Sequence, residues 1–277
     1  MIDRADTDPV VSALFYYPVK SLPGIAVNEA KLTPMGLEND RLWMLARDDG
    51  RFITQREEHS LALLSVSLEA DGYRILAPGG TSTTLPLSIE RRPGFHVQVW
   101  KDQFSASRGS NEAEDFFSDY LGFRCVPVFR HADGVRFAGS RAPEGTPLSF
   151  ADAYPVLVVS EASLVDLNSR ASIPLVMNRF RPNIVVSNTT PYAEDTWADI
   201  SIGSSDLLGV KPCDRCVLTT VDPETGQSGK EPLKTLATYR RVGNDVYFGQ
   251  NVVVASPGIV KKGDAVSVRS RMRGPLE

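Results

Sequence analysis

The sequence predicts a mainly β fold of the α+β class, with an N-terminal β-barrel-like domain over residues 9–129 packed on a mixed domain over residues 130–272. Three observations lead to this prediction. Short apolar runs separated by turn residues fill the first half, whereas strand and helix patterns are mixed in the second half. The length of 277 residues is also sufficient for two hydrophobic cores of ordinary size.

The first half contains a series of predicted strands, with turn signals such as Asp49-Gly50 and Asp71-Gly72 between them. Short strands at this spacing are typical of an antiparallel barrel or sandwich. The strand-like runs are VSALFYYPV, RLWMLA, RFITQRE, LALLSVSLE, YRILAP, TTLPLSI and FHVQVW.

One helix is predicted in the first half, in the segment NEAEDFFSDYLGF. Asn111 is the predicted cap, Glu114 stands at the capping-box position, and Gly122 is the predicted end. The strand RCVPVFR follows. After it, HADGVRFAGSRAPEGTP is rich in Gly, Pro and charge, which predicts a connection or an exposed hairpin and places the domain boundary near residue 130.

The second half mixes strands and helices. YPVLVVS and PNIVVSN are predicted strands, whereas EASLVDLNSR is a predicted helix opened by Ser160. EPLKTLATYRR is a further predicted helix, with Pro232 at a tolerated early position. The segment QNVVVASPGIVKKGDAVSVRS is predicted to form two strands around a Gly-containing turn.

Composition excludes several classes of protein. The net charge is −4 and the basic residues are scattered, so the electrostatic footprint of a nucleic-acid binder is missing. No apolar run has the length of a membrane span, and the start MIDRADTDPV lacks the features of a signal or transit peptide. Three cysteines, an odd number, fit a reducing compartment. We therefore expect a cytoplasmic protein that binds neither a membrane nor nucleic acid.

Two cysteines, Cys213 and Cys216, stand close together in KPCDRCVLTTVDPETG. A redox dithiol is expected where a strand runs into a helix, whereas VLTTV predicts a strand or extended loop. A structural zinc site needs four ligands, and Cys125 is the single further cysteine. Both thiols also fit the interpretation of small buried side chains. Lys211 and Arg215, however, place positive charge nearby, which favours a thiolate that acts as a nucleophile or soft-metal ligand.

A second basic constellation lies in YPVKSLPG, where Lys20 and Ser21 precede a Pro-Gly turn. A cation, a hydroxyl and loop amides together suit a phosphate. Arg41 and Arg181 each adjoin a hydrophobic strand, and a guanidinium is suited to bidentate phosphate recognition. Taken singly, each of these cations also fits an exposed ion-pair partner.

Together these segments resemble a known family. YPVKS, GLENDRLWMLARDDGRFITQRE, FADAYPVLVVSEASLVDLNSR, FRPNIVV, YAEDTW and CDRCVLTTVDPETG occur in the order seen in MOSC-domain proteins with an N-terminal MOSC β-barrel domain. The resemblance covers nearly the whole chain and is strongest to the amidoxime reducing components and their bacterial relatives. It implies a MOSC β-barrel as the second domain and a molybdenum cofactor, a pyranopterin dithiolene with a terminal phosphate, bound between the two domains.

The resemblance also implies roles for individual residues. It identifies Cys216 as the metal ligand and as a catalytic residue. Asp152, in FADAYP, matches an acidic residue that lines the site, and Asn183 is a neighbour; both are expected to be catalytic. Cys213 and Cys125 are expected to be structural. The residues expected to bind the cofactor are Lys20, Ser21, Arg41, Asp152, Arg181, Arg215 and Cys216.

The function that the resemblance implies is molybdenum-dependent reduction of N-hydroxylated small molecules by oxygen-atom transfer from the N–O bond to molybdenum. Two alternatives remain open: a non-catalytic carrier of the molybdenum cofactor, and a sulfur carrier that uses Cys216 as a persulfide. The chain shows neither a membrane anchor nor the cysteine cluster of an iron–sulfur domain. We therefore expect a separate electron donor, a flavin reductase, a small electron-transfer protein or both.

One residue departs from the family pattern. Asp214 stands between the two cysteines, where the family often has a small hydroxyl residue. A carboxylate beside an anionic cofactor is unfavourable unless it points away or is paired. The sequence therefore leaves any metal-site role of Asp214 open.

Overall fold

The computed structural model describes residues 8–91, 94–131 and 136–276. Most of the regular structure in these ranges is β, which confirms the predicted mainly β fold. The strands of the first half are β1 (Val10–Tyr16), β2 (Ile25–Val27), β3 (Glu29–Thr33), β4 (Gly36–Leu37), β5 (Trp43–Ala46), β6 (Ser65–Glu69), β7 (Gly72–Leu76), β8 (Ser82–Leu85), β9 (Phe95–Val99), β10 (Asp102–Arg108) and β11 (Val126–Phe129). Those of the second half are β12 (Val156–Ser160), β13 (Ile184–Ser187), β14 (Trp197–Ile202), β15 (Ser205–Asp214), β16 (Arg241–Val242), β17 (Asp245–Ser256), β18 (Gly258–Lys261) and β19 (Val266–Arg271).

The helices are few and short. The α-helices are α1 (Asn111–Leu121), α2 (Glu161–Arg170) and α3 (Leu233–Leu236). Single 3₁₀ turns occupy His59–Leu63, Met177–Phe180, Ala193–Thr196 and Val217–Thr220. No helix of the described ranges combines the length and the apolar character needed to cross a bilayer.

The largest sheet joins the two halves of the sequence. Its strand order is β19-β14-β15-β17-β12-β13-β1-β2, and β16 pairs with β17 at one side. Strand β1 lies antiparallel to β13, with Leu14 opposite Ile184. The chain after β1 therefore runs beside the chain that enters β13, and the backbone N–H of Phe15 donates to the carbonyl of Asn183 at 2.9 Å. This pairing brings the segments around residues 17–21 and 181–183 together.

Three smaller sheets complete the fold. Their strand orders are β5-β11-β10-β9, β6-β7-β8 and β18-β3-β4. One hydrophobic core extends across both halves and includes Leu14, Trp43 and Trp197, all 1% exposed or less. The two halves consequently bury one continuous apolar surface. The domain boundary near residue 130 stays a prediction, and the segment 132–135 beside it lies outside the described residues.

The helix caps follow the sequence closely, with one difference. Ser160 caps α2 by accepting a hydrogen bond from the backbone of Ser163, and Gly122 ends α1 with a left-handed φ of 74°, both as predicted. The cap of α1 is Ser110 rather than the predicted Asn111. Its Oγ accepts from the backbone N–H of Ala113 at 3.2 Å.

Four local predictions differ from the structure. RFITQRE is not a strand, because the backbone N–H groups of Glu57 and Glu58 turn back to the carbonyl of Thr54. The segment after Cys216 is a 3₁₀ turn rather than extended chain, and the predicted helix in EPLKTLATYRR is the single turn of α3. The two strands predicted at the C-terminal end are three, β17, β18 and β19.

Candidate functional site

The eight residues singled out in the sequence line a single cleft of about 450 Å³. They come from loops of both halves, and further residues of both halves complete the walls. Their roles in binding or catalysis stay predictions, whereas their proximity is a feature of the structure. The eight are Lys20, Ser21, Arg41, Asp152, Arg181, Asn183, Arg215 and Cys216.

Lys20 and Arg41 are brought together by backbone pairing of two loops. The N–H of Arg41 donates to the carbonyl of Tyr17 at 2.6 Å, and the N–H of Lys20 donates to the carbonyl of Trp43 at 2.8 Å. The segment after β1 therefore lies alongside the segment that enters β5. Lys20 and Ser21 are both buried, and both face the cleft from its wall.

Asp40 connects three of the segments that form this wall. The carboxylate is 1% exposed, and its Oδ1 accepts hydrogen bonds from the backbone of Tyr17 at 2.8 Å and from Nδ2 of Asn183 at 3.1 Å. Its Oδ2 pairs with Nη1 of Arg41. A buried carboxylate that accepts hydrogen bonds from three donors is held in one position, and it in turn fixes the side chain of Arg41.

Asn183 connects the two halves of the sequence through side-chain hydrogen bonds. Its Nδ2 also donates to the carbonyl of Phe15 at 3.2 Å, while its Oδ1 accepts from the backbone of Leu157 at 3.2 Å and from Nη1 of Arg41 at 3.4 Å. Together with the bond to Asp40, both ends of the amide are engaged by protein groups. The expected catalytic role of Asn183 stays a prediction, and its geometry is that of a positioning residue.

Arg41 and Arg181 share the ring of Tyr17. Their guanidinium carbons lie 4.6 Å and 4.2 Å from the ring centroid. The phenol donates to the carbonyl of Pro182 at 3.0 Å. Burial raises the pKa of Tyr17 to about 12 despite the two neighbouring cations, so the phenol is neutral at physiological pH.

Arg181 has a buried donor without an acceptor. Its Nη2 makes no hydrogen bond, and no ion pair of the described ranges includes this guanidinium. Burial lowers the pKa of Arg181 to about 10, with Tyr17 acting in the opposite direction, so the side chain remains a cation at neutral pH. A buried unsatisfied donor costs about 1–3 kcal/mol. An anionic ligand in the cleft would remove this cost.

Asp152 accepts hydrogen bonds from three donors in the same cleft. Its Oδ1 accepts from Nζ of Lys20 at 2.5 Å and from Nε1 of Trp100 at 3.2 Å, and its Oδ2 accepts from Nη2 of Arg56 at 2.6 Å. Arg136 fixes the backbone by donating to the Asp152 carbonyl at 2.8 Å. Burial raises the pKa of Asp152, but the charges of Lys20 and Arg56 outweigh it and hold the pKa far below its usual range. Asp152 is therefore ionised.

Lys20 is a perturbed cation. Burial lowers its pKa to about 8, and Asp152 limits the decrease. The ammonium also donates to the carbonyl of Phe150 at 2.8 Å and lies 5.4 Å from the ring centroid of Phe52. Lys20 is thus charged at neutral pH and titrates not far above it.

The three cysteines have different surroundings. Cys216 is exposed, and its Sγ lies 3.3 Å from Nε of Arg56. Cys213 is half-buried, and Nη1 of Arg215 lies 3.0 Å from its Sγ. Cys125 is buried, which raises its pKa to about 12. The thiol of Cys216 is thus an accessible thiol beside a guanidinium, whereas Cys125 is an inert core residue.

Asp214 is paired with a neighbour. Its carboxylate lies 2.5 Å from Nζ of Lys211 and is 51% exposed. Arg215, the next residue, is anchored by a bond from Nη2 to the carbonyl of Phe180 at 2.7 Å, and its buried Nε has no acceptor. The unfavourable charge of Asp214 is therefore compensated by Lys211.

The cleft carries an excess of positive charge. Its lining has two carboxylates, Asp152 and the paired Asp214. The described residues contain no group of three or more His, Cys, Asp or Glu side chains arranged to hold a metal ion. A surplus of cations in a cleft concentrates anions. The five cationic side chains of the lining are Lys20, Arg41, Arg56, Arg181 and Arg215.

The backbone is strained around the same cleft. Seven non-glycine residues of the described chain have a left-handed φ, and four of them line the cleft. Left-handed φ at a non-glycine residue costs on the order of 1–3 kcal/mol and is concentrated at functional sites. The four are Ser21, Arg41, Trp100 and Arg181, with φ values of 69°, 53°, 56° and 54°.

Sequence reasoning missed Arg56 and Trp100. Arg56 lies in RFITQRE, where the apolar pattern predicts a strand rather than a loop that faces a thiol. Trp100 occupies the turn between β9 and β10 and is 49% exposed. The signal for Trp100 was a large aromatic residue next to the charged pair Lys101-Asp102, which is unusual for a hairpin turn.

Two family models match this chain, one in each half of the sequence. Residues 8–124 match the model of the MOSC N-terminal beta barrel domain, and residues 145–267 match the MOSC domain. Mitochondrial amidoxime-reducing component 1 of Homo sapiens is 36% identical over 276 residues, which covers 92% of this chain and 82% of the human protein. Mitochondrial amidoxime reducing component 2 of Bos taurus is 35% identical with the same coverage.

Among solved structures, the YUAD protein from Bacillus subtilis aligns with a TM-score of 0.45 and 12% sequence identity. The alignment covers 94% of each chain.

Proposed function

The chain belongs to the family of MOSC-domain proteins that includes the mitochondrial amidoxime-reducing components, and from this premise we propose that it is a molybdenum-cofactor-dependent reductase of N-hydroxylated compounds. The observation that carries the proposal is the cleft itself. Its wall has a surplus of cations, two of which, Arg181 and Arg215, have a buried donor without an acceptor, and it reaches an accessible thiol. Phosphate-bearing cofactors need such cations, and molybdenum is a metal for a soft thiolate ligand.

The residues of the cleft fit the parts of this cofactor. Lys20, Ser21, Arg41 and Arg181 would hold the phosphate and the pterin, since all four are buried or half-buried and three have fixed left-handed backbones. The unsatisfied Nη2 of Arg181 would gain its missing acceptor. Cys216 would bind the metal, and Arg215 would contribute charge from the side of Cys213.

The bound cofactor would supply the two-electron chemistry that removes the oxygen from the N–O bond. The overall reaction consumes two electrons and two protons and converts an N–OH compound into the corresponding N–H compound and water. The protein would orient the reactants. Asp152 is ionised, and its Oδ2 accepts one hydrogen bond from Arg56. A carboxylate oxygen has room for a second donor, so Oδ2 can accept an N–H of a substrate.

The electrons would come from a separate protein, a flavin reductase, a small electron-transfer protein or both. Support comes from the exposure of Cys216 at the cleft, which places the proposed metal ligand near the surface. A donor that docks over this opening would be close to the metal.

The test is turnover by the cofactor-loaded chain with reduced viologen and a panel of amidoximes, hydroxylamines and N-hydroxylated bases. We expect formation of the amidine or amine, with no turnover when NADH is the sole reductant. Adding a flavin reductase, with or without a small electron carrier, restores turnover. A protein with stoichiometric molybdenum and pterin that is inert towards the whole panel would be a cofactor carrier. Labile sulfane sulfur without metal would indicate the sulfur carrier.

A further inference from the structure

Trp100 differs from the other tryptophans of the chain. Trp43 and Trp197 are core residues, 0% and 1% exposed, whereas Trp100 is 49% exposed and lines the cleft. Its backbone has a left-handed φ of 56°, which is unfavourable for a bulky side chain. A large apolar surface left open in a strained turn at a binding cleft needs an explanation other than core packing.

The indole is held in one orientation by three neighbours. Its Nε1 donates to Oδ1 of Asp152 at 3.2 Å, and its ring packs edge-on against Phe52 with centroids 5.1 Å apart. The guanidinium carbon of Arg56 lies 5.0 Å from the indole centroid. Three fixed contacts on a half-exposed ring make a preorganised surface, which loses little entropy when a ligand binds.

The ring is also close to the thiol of Cys216. A single guanidinium separates them, because Arg56 contacts the indole and donates from Nε to Sγ of Cys216 at 3.3 Å. A small molecule whose reactive group approaches Cys216 would therefore place its remainder against Trp100. The carboxylate of Asp152 stands at the edge of the same surface.

We propose that Trp100 and Asp152 form a substrate subsite for aromatic N-hydroxylated compounds, with the aromatic ring stacked on the indole. This inference rests on the proposed reductase function and names its substrate class. An aromatic substrate gains binding free energy from offset stacking on the indole in addition to the apolar area that it buries. A small aliphatic substrate has no ring to stack and buries less area. The surplus of cations in the cleft disfavours positively charged substrates, so the preferred compounds are neutral at the reaction pH.

The experiment compares an aromatic and an aliphatic amidoxime, benzamidoxime and acetamidoxime, in cofactor-loaded wild type, Trp100→Leu and Trp100→Phe. We expect the ratio of kcat/KM for benzamidoxime over acetamidoxime to fall roughly tenfold in Trp100→Leu, from the usual strength of an aromatic pair. Trp100→Phe keeps a ring but loses the bond to Asp152, and should retain most of the ratio. An unchanged ratio in Trp100→Leu, or an equal loss in both variants, would overturn the subsite.

A binding measurement separates this inference from the proposed function. Because the other tryptophans are buried, ligand-dependent fluorescence of the loaded protein reports on Trp100. Benzamidoxime should quench it more strongly than acetamidoxime, and Trp100→Phe should lose this response. If wild type reduces neither compound, the proposed function fails, yet selective quenching would still support the subsite. Equal responses to the two compounds would contradict it.

Discussion

Arg56 donates from Nε to the Sγ of Cys216 at 3.3 Å, across 160 residues of sequence. The same guanidinium pairs through Nη2 with Oδ2 of Asp152 at 2.6 Å, and its side chain is 16% exposed. The loop after β5 thus reaches the thiol for which we propose metal ligation. Hydrogen bonds to a ligating sulfur tune the metal that it binds.

Replacing Arg56 by Gln should therefore change the midpoint potential of the bound metal more than it changes the stability of the fold. The loss of a charged donor to sulfur should lower the midpoint potential of the bound molybdenum and slow turnover on the order of tenfold or more, the usual effect of removing an outer-shell partner. A redox titration followed by electron paramagnetic resonance measures the potential. Arg56→Lys keeps the charge but cannot contact both Cys216 and Asp152. Its midpoint potential should therefore lie between those of wild type and Arg56→Gln. An unchanged potential in Arg56→Gln would show that the contact has no electronic role.

Arg181 should determine how much cofactor the protein holds. Its buried Nη2 has no protein acceptor, and a charge-assisted bond to a phosphate or pterin is worth about 1.5–3 kcal/mol. Arg181→Ala should therefore weaken cofactor binding roughly 10- to 100-fold, and Arg41→Ala should act in the same direction. Molybdenum and pterin per chain, measured after expression in a host that makes the cofactor, check this. Arg74→Ala is the matched control, since Arg74 is exposed in β7 and pairs with Glu69.

Lys20 should make anion binding dependent on pH. Burial lowers its pKa to about 8. The side chain is therefore charged below that pH and loses its proton, and with it the charge, as the pH rises through that value. An anion is held by the charged form. Affinity of the cofactor-free protein for sulfate, whose own charge is constant over this range, should therefore be highest below pH 8 and fall above it, as measured by calorimetry from pH 6.5 to 9.5. Lys20→Arg should remain flat over this range, because its guanidinium does not titrate there. The same decline in the variant would exclude Lys20 as the titrating group.

Asp214 should have little influence on the cofactor. Its carboxylate is paired with Lys211 at 2.5 Å and is half exposed, so its charge is largely compensated although it lines the cleft. Asp214→Ser should change cofactor content by less than about twofold, in line with the small effect of an exposed pair. Metal analysis of the purified variant decides this. A large gain in occupancy would mean that the carboxylate does repel the cofactor.

The sequence predicted the C-terminal end of α1, both ends of α2 and most strands of the first half, because caps and apolar alternation are local signals. It missed β14 and β15, whose polar and Gly-containing sequences owe their strand state to pairing with each other and with β17. Local charge and thiol patterns pointed to most of the cleft residues, whereas the resemblance added Asp152 and Asn183. Chain pairing between β1 and β13, which no local pattern contains, is what brings Lys20 towards Arg181.

The sequence did not identify Arg56 and Trp100 as cleft residues, for different physical reasons. Arg56 lies within a turn closed by bonds from the backbone of Glu57 and Glu58 to the carbonyl of Thr54, and this local turn replaces the strand that the apolar alternation favours. Trp100 adopts a left-handed backbone that propensity assigns to glycine or asparagine. Both positions depart from local preference at the cleft, where such conflicts are expected of functional residues.

Cys216 is the proposed protein ligand of molybdenum. Cys216→Ala should abolish turnover while some pterin stays bound through its phosphate, whereas Cys213→Ala should keep activity because Cys213 contacts Arg215 and is only partly accessible. Cys125→Ala tests the general effect of losing a thiol, since Cys125 is a core residue.

The most direct measurement is X-ray absorption at the molybdenum edge of cofactor-loaded wild type, Cys216→Ala and Cys213→Ala. We expect one sulfur neighbour of molybdenum fewer in Cys216→Ala than in wild type, and an unchanged count in Cys213→Ala. An unchanged sulfur count in Cys216→Ala, or a loss in Cys213→Ala instead, would contradict the assignment of the metal ligand.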